Sequence, residues 1–249
     1  MVRVYSRHRI HNGDKKMKIA IVGLGQIGGS MTLRLRRRGY NPDLFDINCE
    51  LARSLGGNCE TFSGHGYDIV VLALYPDVIL NMIEKLPKDN LYLDTASVKV
   101  SIVKRAAELG LNFVGGHPIA GNEKTGKDSW DPDLFDGRPF ALVETPNSKI
   151  DVAIKFVEIL GSNPVIVDAE YHDRALAYTS QGLYFISKVI KSLGTPYEAL
   201  SGPGYASMTR LSKQSPLLGE SFKRYNSKNI SEFLDEIIEE LKKISEELK

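Results

Sequence analysis

The apolar positions of the chain change their spacing along its length, and this change predicts its architecture. Residues 18–22 and 68–74 are short, nearly continuous aliphatic runs, whereas residues 27–38 carry apolar positions at helical spacing. Such runs indicate strands that are buried on both faces of a parallel sheet. Strands and helices alternate in this way as far as Asp168, which is typical of a doubly wound, Rossmann-type α/β domain. Further strands are predicted at residues 43–46, 91–94, 140–143 and 165–167, and further helices at residues 49–55, from Pro76, at 98–109 and at 150–160.

After Asp168 the pattern becomes helical throughout. The last helix has the clearest apolar stripe, with glutamates and lysines opposite, and Asn229 with Glu232 predicts a capping arrangement at its start. The stripe consists of Ile230, Phe233, Ile237, Leu241 and Ile244. The other helices of this region are predicted at residues 170–193, 203–213 and 217–225.

The chain therefore divides into an α/β domain at residues 17–168 and a small all-helical domain at residues 169–249. The second domain is too short to form a comfortable independent core. Because its long helix at residues 170–193 is rich in aliphatic and aromatic side chains, we expect it to pack against a second copy of the chain. The prediction is a homodimer that is held together by the helical domain.

Composition and charge narrow the class of protein. The chain has 249 residues, of which 42% are hydrophobic and 25% charged, and its net charge is +1. This charge argues against a nucleic-acid partner, and no apolar run approaches the roughly 20 residues that span a bilayer. Residues 1–16 form a basic arm without an apolar core, so we interpret them as disordered, or as lying upstream of a start at Met17, rather than as a secretory signal.

The two cysteines carry no recognisable binding pattern. Cys49 and Cys59 lack the spacing of a CxxC pair, so we expect free thiols in a reducing cytoplasm. Because no Cys/His cluster has ligand spacing, we expect no metal site.

A glycine motif after the first predicted strand indicates a dinucleotide site. Gly23 permits a tight turn, Gly25 lets the backbone approach a pyrophosphate, and Gly28 allows close packing of helix on strand. Asp46, at the end of the next strand, can accept hydrogen bonds from ribose hydroxyls and would repel the extra phosphate of NADP. We therefore expect NAD as the cofactor. The expected contacts are Gly23, Leu24, Gly25, Gln26, Ile27, Gly28 and Asp46, together with Leu74 and Tyr75 at the end of a later strand.

Among the five histidines, His117 has the strongest case for a chemical role. It follows Gly116 and precedes Pro118, and such a stiff turn can hold an imidazole at a fixed angle over a pocket. An imidazole exchanges protons near neutral pH. His172 stands beside Asp173 at a predicted helix start, where a structural hydrogen bond is the simpler interpretation.

With these motifs in order, the chain resembles the prephenate/arogenate dehydrogenase family of tyrosine biosynthesis from about Met17 to its C-terminus. The pairing of a His-Pro-Ile-Ala-Gly block with an upstream Ser-Val-Lys block is specific to this family. The motifs are residues 23–30 (GLGQIGGS), 94–99 (DTASVK), 116–126 (GHPIAGNEKTG), His172-Asp173, and 204–216 around Thr209-Arg210.

The resemblance implies an NAD-dependent oxidative decarboxylation of prephenate to 4-hydroxyphenylpyruvate. Hydride leaves the carbinol carbon for NAD, the ring carboxylate leaves as carbon dioxide, and the ring becomes aromatic. By this resemblance His117 accepts the proton of the ring hydroxyl, and Ser97 holds the same hydroxyl or orients His117. Arg210 would bind a substrate carboxylate with its planar, charged fork, and Glu123 would tune or gate the pocket.

Two positions depart from the family pattern. Gln181 stands where many members carry a histidine that contacts substrate, and a glutamine can hydrogen-bond but carries no charge. Asn122 stands where threonine or serine is more usual. Both remain candidate substrate contacts, and they leave the preferred substrate side chain open.

Other functions stay open at this point. Arogenate differs from prephenate only in carrying an amino group in place of a keto group, and no residue distinguishes the two. A β-hydroxyacid dehydrogenase would use a lysine of the helical domain, for which Lys188 and Lys191 are candidates. A non-catalytic NAD-binding module is the third alternative.

Overall fold

The computed structural model describes residues 3–4, 16–122, 124 and 126–249, and its α/β unit is built on one eight-stranded sheet. The strand order is β1-β8-β7-β6-β5-β4-β2-β3, and neighbours from β3 to β6 are parallel, as are β7 and β8. This confirms the predicted Rossmann-type architecture. The strands are β1 (Arg3–Val4), β2 (Ile19–Val22), β3 (Asp43–Phe45), β4 (Ile69–Leu72), β5 (Tyr92–Asp94), β6 (Phe113–Pro118), β7 (Pro139–Glu144) and β8 (Asn163–Ile166).

Helices cover both faces of this sheet, which explains the continuous aliphatic runs. In β4, Ile69 and Val71 join one core with side chains of the helices that begin at Gln26 (α1) and Ile150 (α5). Val70 and Leu72 join a second core with side chains of the helices that begin at Pro76 (α3) and Val100 (α4). All four are fully buried, as expected for a strand sandwiched between two helical layers. The helices of this unit are α1 (Gln26–Arg37), α2 (Cys49–Ser54), α3 (Pro76–Ile83), α4 (Val100–Glu108) and α5 (Ile150–Leu160).

Two features of the sheet differ from the sequence-based expectation. β7 runs antiparallel to β6, with His117 opposite Ala141, because the connection from β6 to β7 does not cross the sheet as a helix. Arg3–Val4, which we expected to be disordered, form β1 and pair antiparallel with β8. The rest of the proposed arm that precedes Lys16 lies outside the described residues.

Glu170–Lys249 form a second compact unit, which is helical throughout its described elements. Its core contains Ala177, Tyr184, Phe222 and Ile230. The segment predicted as one long helix is interrupted by a π-helical turn at Ala177–Gln181. The helices are α6 (Ala169–Leu176), α7 (Gly182–Gly194), α8 (Pro203–Thr209), α9 (Pro216–Tyr225) and α10 (Ser227–Glu247).

The predicted capping arrangement of the last helix is wrong. α10 begins one turn earlier than the apolar stripe indicated, with Asn226 at the N-cap position. Asn229 therefore lies inside the first turn, where its Nδ2 donates to Asn226 Oδ1 at 2.7 Å.

The expectation of free thiols is also wrong, because Cys49 and Cys59 form a disulfide. Their Cα atoms lie 4.8 Å apart, within the usual range for a disulfide. The approach results from tertiary structure, since Phe45 at the end of β3 forms a parallel bridge with Asn58 and so returns the chain to the start of α2. A separation of ten residues gave no sign of this pairing.

Removing this disulfide is expected to lower the free energy of unfolding by about 2–3 kcal/mol, since the bond closes a loop of roughly ten residues in the unfolded chain. The measurement is thermal unfolding of the wild type with and without dithiothreitol. A Cys49→Ser/Cys59→Ser variant is the matched control. Its unfolding midpoint should equal that of the reduced wild type and should not change when dithiothreitol is added. Two titratable thiols in the unreduced wild type would contradict the disulfide.

Candidate functional site

The carboxyl edge of the sheet brings the candidate residues of the α/β unit together. β2, β4, β5 and β6 are mutually parallel in that order across the sheet, so their carboxyl ends meet at one edge, where α/β proteins bind ligands. The glycine motif follows β2, Leu74 and Tyr75 follow β4, and Ser97 follows β5. His117 is the penultimate residue of β6.

The glycine turn has the shape that a dinucleotide pyrophosphate requires. Gly23 has φ +91°, a left-handed conformation, and a Cβ there or at Gly28 would collide with backbone carbonyl oxygens. Around Gly25 the space is open, because no heavy atom lies within 4 Å of an added Cβ. Gly25 is also the N-cap residue of α1 and has no side-chain capping hydrogen bond. The helix N-terminus thus offers backbone N–H groups to an anion.

The carboxylate of Asp46 accepts a hydrogen bond directly from the glycine turn. Its Oδ2 accepts from the N–H of Leu24 at 2.6 Å, and its Oδ1 accepts from the N–H of Asn48 at 2.7 Å. Each carboxylate oxygen has a second acceptor site, so Asp46 can both hold the turn and receive a ribose hydroxyl. The residues present therefore fit a dinucleotide with an unphosphorylated ribose.

The other predicted cofactor residues divide between the pocket wall and the core. Leu74 packs against the Gly23 turn, with its Cδ2 2.8 Å from the position of an added Gly23 Cβ. Tyr75 is the N-cap residue of α3 and is 40% exposed. Ile27 is half-buried and packs against the core on the α1 side of the sheet.

A cross-brace joins the glycine motif to the loop after His117. Gln26 Nε2 donates to the backbone oxygen of Asn122 at 3.0 Å and to its Oδ1 at 2.6 Å. Asn122 Nδ2 in turn donates to the carbonyl of Ser129 at 3.1 Å. The amide of Asn122 therefore shapes the loop, and its contact with substrate stays a prediction. Glu123, which is predicted to tune or gate the pocket, lies outside the described residues.

Trp130 also contacts the glycine turn, and no sequence pattern predicted this contact. Its indole Nε1 donates to the carbonyl oxygens of Leu24 and Gly25 at 3.1 Å each. It is the single tryptophan of the chain, which is the one signal that could have drawn attention to it. The indole fixes the carbonyl side of the turn and leaves the N–H side to a ligand.

Ser97 and His117 are both half-buried, and one carboxylate links the backbone beside each. Asp94 accepts from the N–H of Ala96 at 3.0 Å and from the N–H of Gly116 at 2.9 Å. The residues before Ser97 and before His117 are thus held by the same buried side chain. A proton acceptor and a hydroxyl on adjacent strand ends can act on one alcohol group.

The helical unit contains the remaining candidates. Gln181 is fully buried at the end of the π-helical turn, and its Oε1 accepts from Asn226 Nδ2 at 2.7 Å. The same Nδ2 donates to the carbonyl of Asp173 at 2.7 Å. Gln181 therefore anchors an internal network, and its contact with substrate stays a prediction. Arg210 is exposed at the start of a 3₁₀ turn, Arg210–Lys213.

The interpretation of His172 as a structural residue agrees with its surroundings. His172 Nδ1 lies 2.8 Å from Asp173 Oδ1, and both residues are buried.

A π-helical turn often marks a functional site, and here it ends at Gln181, the position at which the chain departs from the family pattern.

A helix that could span a bilayer is absent from the described part of the chain. The same part contains no group of three or more His, Cys, Asp or Glu side chains that could hold a metal ion. A cytoplasmic location stays a prediction, and the disulfide removes the argument from free thiols.

Comparison with known proteins gives matches along most of the chain. The family model of the prephenate dehydrogenase nucleotide-binding domain matches residues 35–166, and that of the prephenate dehydrogenase dimerization domain matches residues 168–249. A cyclohexadienyl dehydrogenase of Zymomonas mobilis is 30% identical over 255 residues, which cover 91% of this chain and 86% of that protein.

A second relative and a solved structure extend this comparison. A protein of Streptomyces niveus named as a probable prephenate dehydrogenase is 35% identical over 169 residues, or 63% of this chain, and the match spans 47% of that protein's length. The crystal structure of prephenate dehydrogenase from A. aeolicus in complex with hydroxyphenyl propionate and NAD+ is similar with a TM-score of 0.79 and 25% identity. That similarity covers 94% of this chain and 91% of the other.

Proposed function

The chain belongs to the prephenate dehydrogenase family, and we propose that it catalyses the NAD-dependent oxidative decarboxylation of prephenate in tyrosine biosynthesis. The observation that carries this proposal is the carboxyl edge of the sheet, where the open glycine turn after β2 and the half-buried His117 of β6 lie at the ends of parallel strands of one sheet. The solved relative from A. aeolicus holds NAD+ and a hydroxyphenyl ligand together, which supports the same pairing of cofactor and aromatic ring for this chain.

The residues of this chain would divide the reaction as follows. His117 accepts the proton of the ring hydroxyl while Ser97 holds that hydroxyl in place. Arg210 binds a carboxylate of the substrate through charge-assisted hydrogen bonds. When bound, NAD would supply the acceptor for the hydride of the carbinol carbon. As the carbon–hydrogen bond breaks, the bond to the ring carboxylate also breaks, carbon dioxide leaves, and its electron pair completes the aromatic ring.

Cofactor selection follows from Asp46. Its carboxylate beside the Gly23–Gly28 turn favours two free ribose hydroxyls and disfavours the additional negative charge of NADP. We therefore infer NAD as the preferred cofactor.

The contacts of the two candidate lysines favour this function over a β-hydroxyacid dehydrogenase. Lys188 Nζ donates to the hydroxyl of Tyr184 at 3.2 Å, and Lys191 is ion-paired with Glu198. Both ammonium groups thus have structural partners within the helical unit.

The deciding experiment is NADH formation with prephenate and with arogenate, using NAD and NADP in turn. We expect turnover with prephenate and NAD, and weaker turnover with NADP. Higher kcat/KM with arogenate would reassign the substrate within the family. If purified, folded protein that binds NAD turned over neither substrate, the catalytic proposal would be wrong and the binding-module alternative would replace it.

Alanine substitutions at Gly25 and Gly28 should have different effects, the first on NAD affinity and the second on stability. Gly25→Ala places its Cβ in open space at φ −63°, so the unfolding midpoint should stay unchanged while NAD affinity falls, by about tenfold, because the pyrophosphate can no longer approach. Gly28→Ala, its matched control, drives the Cβ into the Gly23 carbonyl and should destabilise the fold by about 1–3 kcal/mol. Trp130 hydrogen-bonds to this turn, so we expect NAD binding to quench its fluorescence. Normal NAD affinity in Gly25→Ala would mean that the pyrophosphate does not approach Gly25.

We also propose a homodimer formed through the helical unit. Apolar side chains such as Val189, Leu193, Leu241 and Ile244 are at least half exposed in the single chain, and the family model that covers this unit is the dimerization domain. Light scattering at micromolar concentration should give twice the chain mass of 27.7 kDa. A single-chain mass would contradict the proposal.

A further inference from the structure

Two buried charges lie directly behind the strand end that carries His117. Asp94 ends β5, Lys99 directly precedes α4, and both side chains are fully buried and ion-paired with each other. A buried ion pair carries a desolvation penalty that often cancels its attraction, and apolar residues of similar volume are frequently as stable. Stability alone therefore does not explain this pair.

The contacts of the pair converge on one residue, Gly116. Asp94 Oδ1 accepts from the N–H of Gly116 at 2.9 Å, and Lys99 Nζ donates to the carbonyl of Gly116 at 2.7 Å. Asp94 Oδ2 accepts from the N–H of Ala96 at 3.0 Å. Gly116 precedes His117 and Ala96 precedes Ser97, so the pair ties together the backbones that carry both candidate catalytic residues.

Beyond the end of β5, the Asp94 and Lys99 side chains provide the hydrogen bonds to β6 that a longer β5 would have provided. The parallel ladder between β5 and β6 aligns Tyr92 with Phe113 and Leu93 with Val114, and β5 ends one residue later. Beyond that end, the N–H and carbonyl of Gly116 are held by the Asp94 and Lys99 side chains. A buried peptide group without a partner would be costly, and the ion pair supplies both a donor and an acceptor.

Gly116 is fitted to this arrangement. A Cβ at Gly116 would collide with the carbonyl oxygen of Asp94 and would lie 2.7 Å from Leu93 Cδ1. Any larger residue would push β6 away from the end of β5, and the peptide groups of Gly116 would lose both side-chain partners.

We propose that Asp94 and Lys99 are positioning residues, which fix the orientation of the His117 imidazole relative to Ser97 by holding Gly116. This inference rests on the proposed function, because it assigns His117 the proton-accepting role. The two charges act through the backbone and touch neither substrate nor cofactor in this scheme.

The ionic state of Asp94 depends on its partner. Burial raises the pKa of the Asp94 carboxyl, whereas the Lys99 ammonium and the N–H groups of Gly116 and Ala96 oppose that rise. Removing Lys99 alone would leave a buried, unpaired carboxyl group. A test of positioning should therefore also remove both charges together.

The experiment compares Asp94→Asn/Lys99→Met with the wild type. Because displacement of a catalytic group by about 1 Å can lower the rate about 10²-fold, we expect kcat to fall to that extent while the substrate KM and the NAD affinity change little. Phe156→Leu is the matched control, since Phe156 is fully buried in α5 and lies in the core on the α1 side of the sheet. Its unfolding midpoint should fall while its kcat stays at the wild-type value.

The second measurement is the NMR signal of the His117 ring, assigned from its absence in His117→Ala. In the double variant this signal should move, whereas that of His172, held by Asp173, should not. An unmoved His117 signal, or a kcat equal to that of the wild type, would overturn the proposal. If the double variant does not fold, Asp94→Asn/Lys99→Gln, which removes both charges and keeps polar side chains of similar size, takes its place, with changes of kcat and of the His117 signal expected in the same direction.

This design separates the two proposals. If the wild type turns over neither prephenate nor arogenate, the proposed function fails, while the NMR comparison still tests whether the ion pair orients His117. If the wild type is active and the variants keep both the His117 signal and kcat, only the positioning role fails.

Discussion

His117→Ala is expected to lower kcat by about 10²–10⁴-fold, the usual contribution of a general base. The reason is that the imidazole that accepts the hydroxyl proton is then missing while hydride leaves the carbon that carries this hydroxyl. NAD affinity should change little, because the turn that receives the pyrophosphate belongs to β2 and α1, whereas His117 belongs to β6. Steady-state NADH formation gives kcat, and Trp130 fluorescence gives the NAD affinity.

His65→Ala is the matched control for this prediction. Its side chain is 70% exposed, and its Nδ1 pairs with Asp89 at 3.0 Å, so its loss should leave kcat unchanged. His117→Ala with wild-type turnover would remove His117 from the mechanism. Loss of NAD binding together with turnover would instead indicate that the substitution disturbs the whole sheet edge.

Much of the α/β fold could be predicted because its signals are local. The aliphatic run at residues 68–74 predicted a strand with both faces buried, and β4 is such a strand between two cores. The helix predicted at residues 150–160 has the observed bounds Ile150–Leu160. Periodicity and glycine position are properties of neighbouring residues, so they can be read without knowledge of the tertiary structure.

The errors share the opposite property. The disulfide, the antiparallel β7 and the hydrogen bonds of Trp130 all depend on residues that meet only after folding. Trp130, for example, donates a hydrogen bond to Leu24, which is 106 positions earlier in the sequence. The π-helical turn at Ala177–Gln181 lies inside a longer helical segment, whose aliphatic and aromatic side chains predicted a helix but not the hydrogen-bond pattern of this turn. No local spacing distinguishes these arrangements from their alternatives.

The candidate site shows the same division. The glycine turn and Asp46 were predicted from strand, turn and helix in sequence, and they meet at the end of β2. Sequence patterns predict that Asn122 and Gln181 contact the substrate, and this stays a prediction. The structure adds their partners within the protein: the Asn122 side chain accepts a hydrogen bond from Gln26, and Gln181 accepts one from Asn226. A hydrogen-bonding residue type predicts that a bond forms but does not identify its partner.

Arg210→Ala is expected to raise the substrate KM by roughly 10- to 100-fold, the equivalent of about 1.5–3 kcal/mol for a hydrogen bond to a charged group. Arg210 is an exposed residue at the start of its 3₁₀ turn, so we expect its replacement to change the unfolding midpoint only slightly. Arg210→Lys keeps the charge but loses the planar fork that matches a carboxylate. Its KM should therefore lie between those of the wild type and Arg210→Ala.

Lys213→Ala separates recognition of a carboxylate from a general effect of positive charge. Lys213 is exposed at the other end of the same turn, so removing it lowers the charge of the segment equally. If Arg210 alone binds the substrate, Lys213→Ala should keep the wild-type KM, and the effect of Arg210→Ala should persist at high salt, because a direct ion pair is screened less than a distant charge. Equal effects of the two substitutions, both abolished by salt, would mean that the turn attracts the substrate without binding its carboxylate.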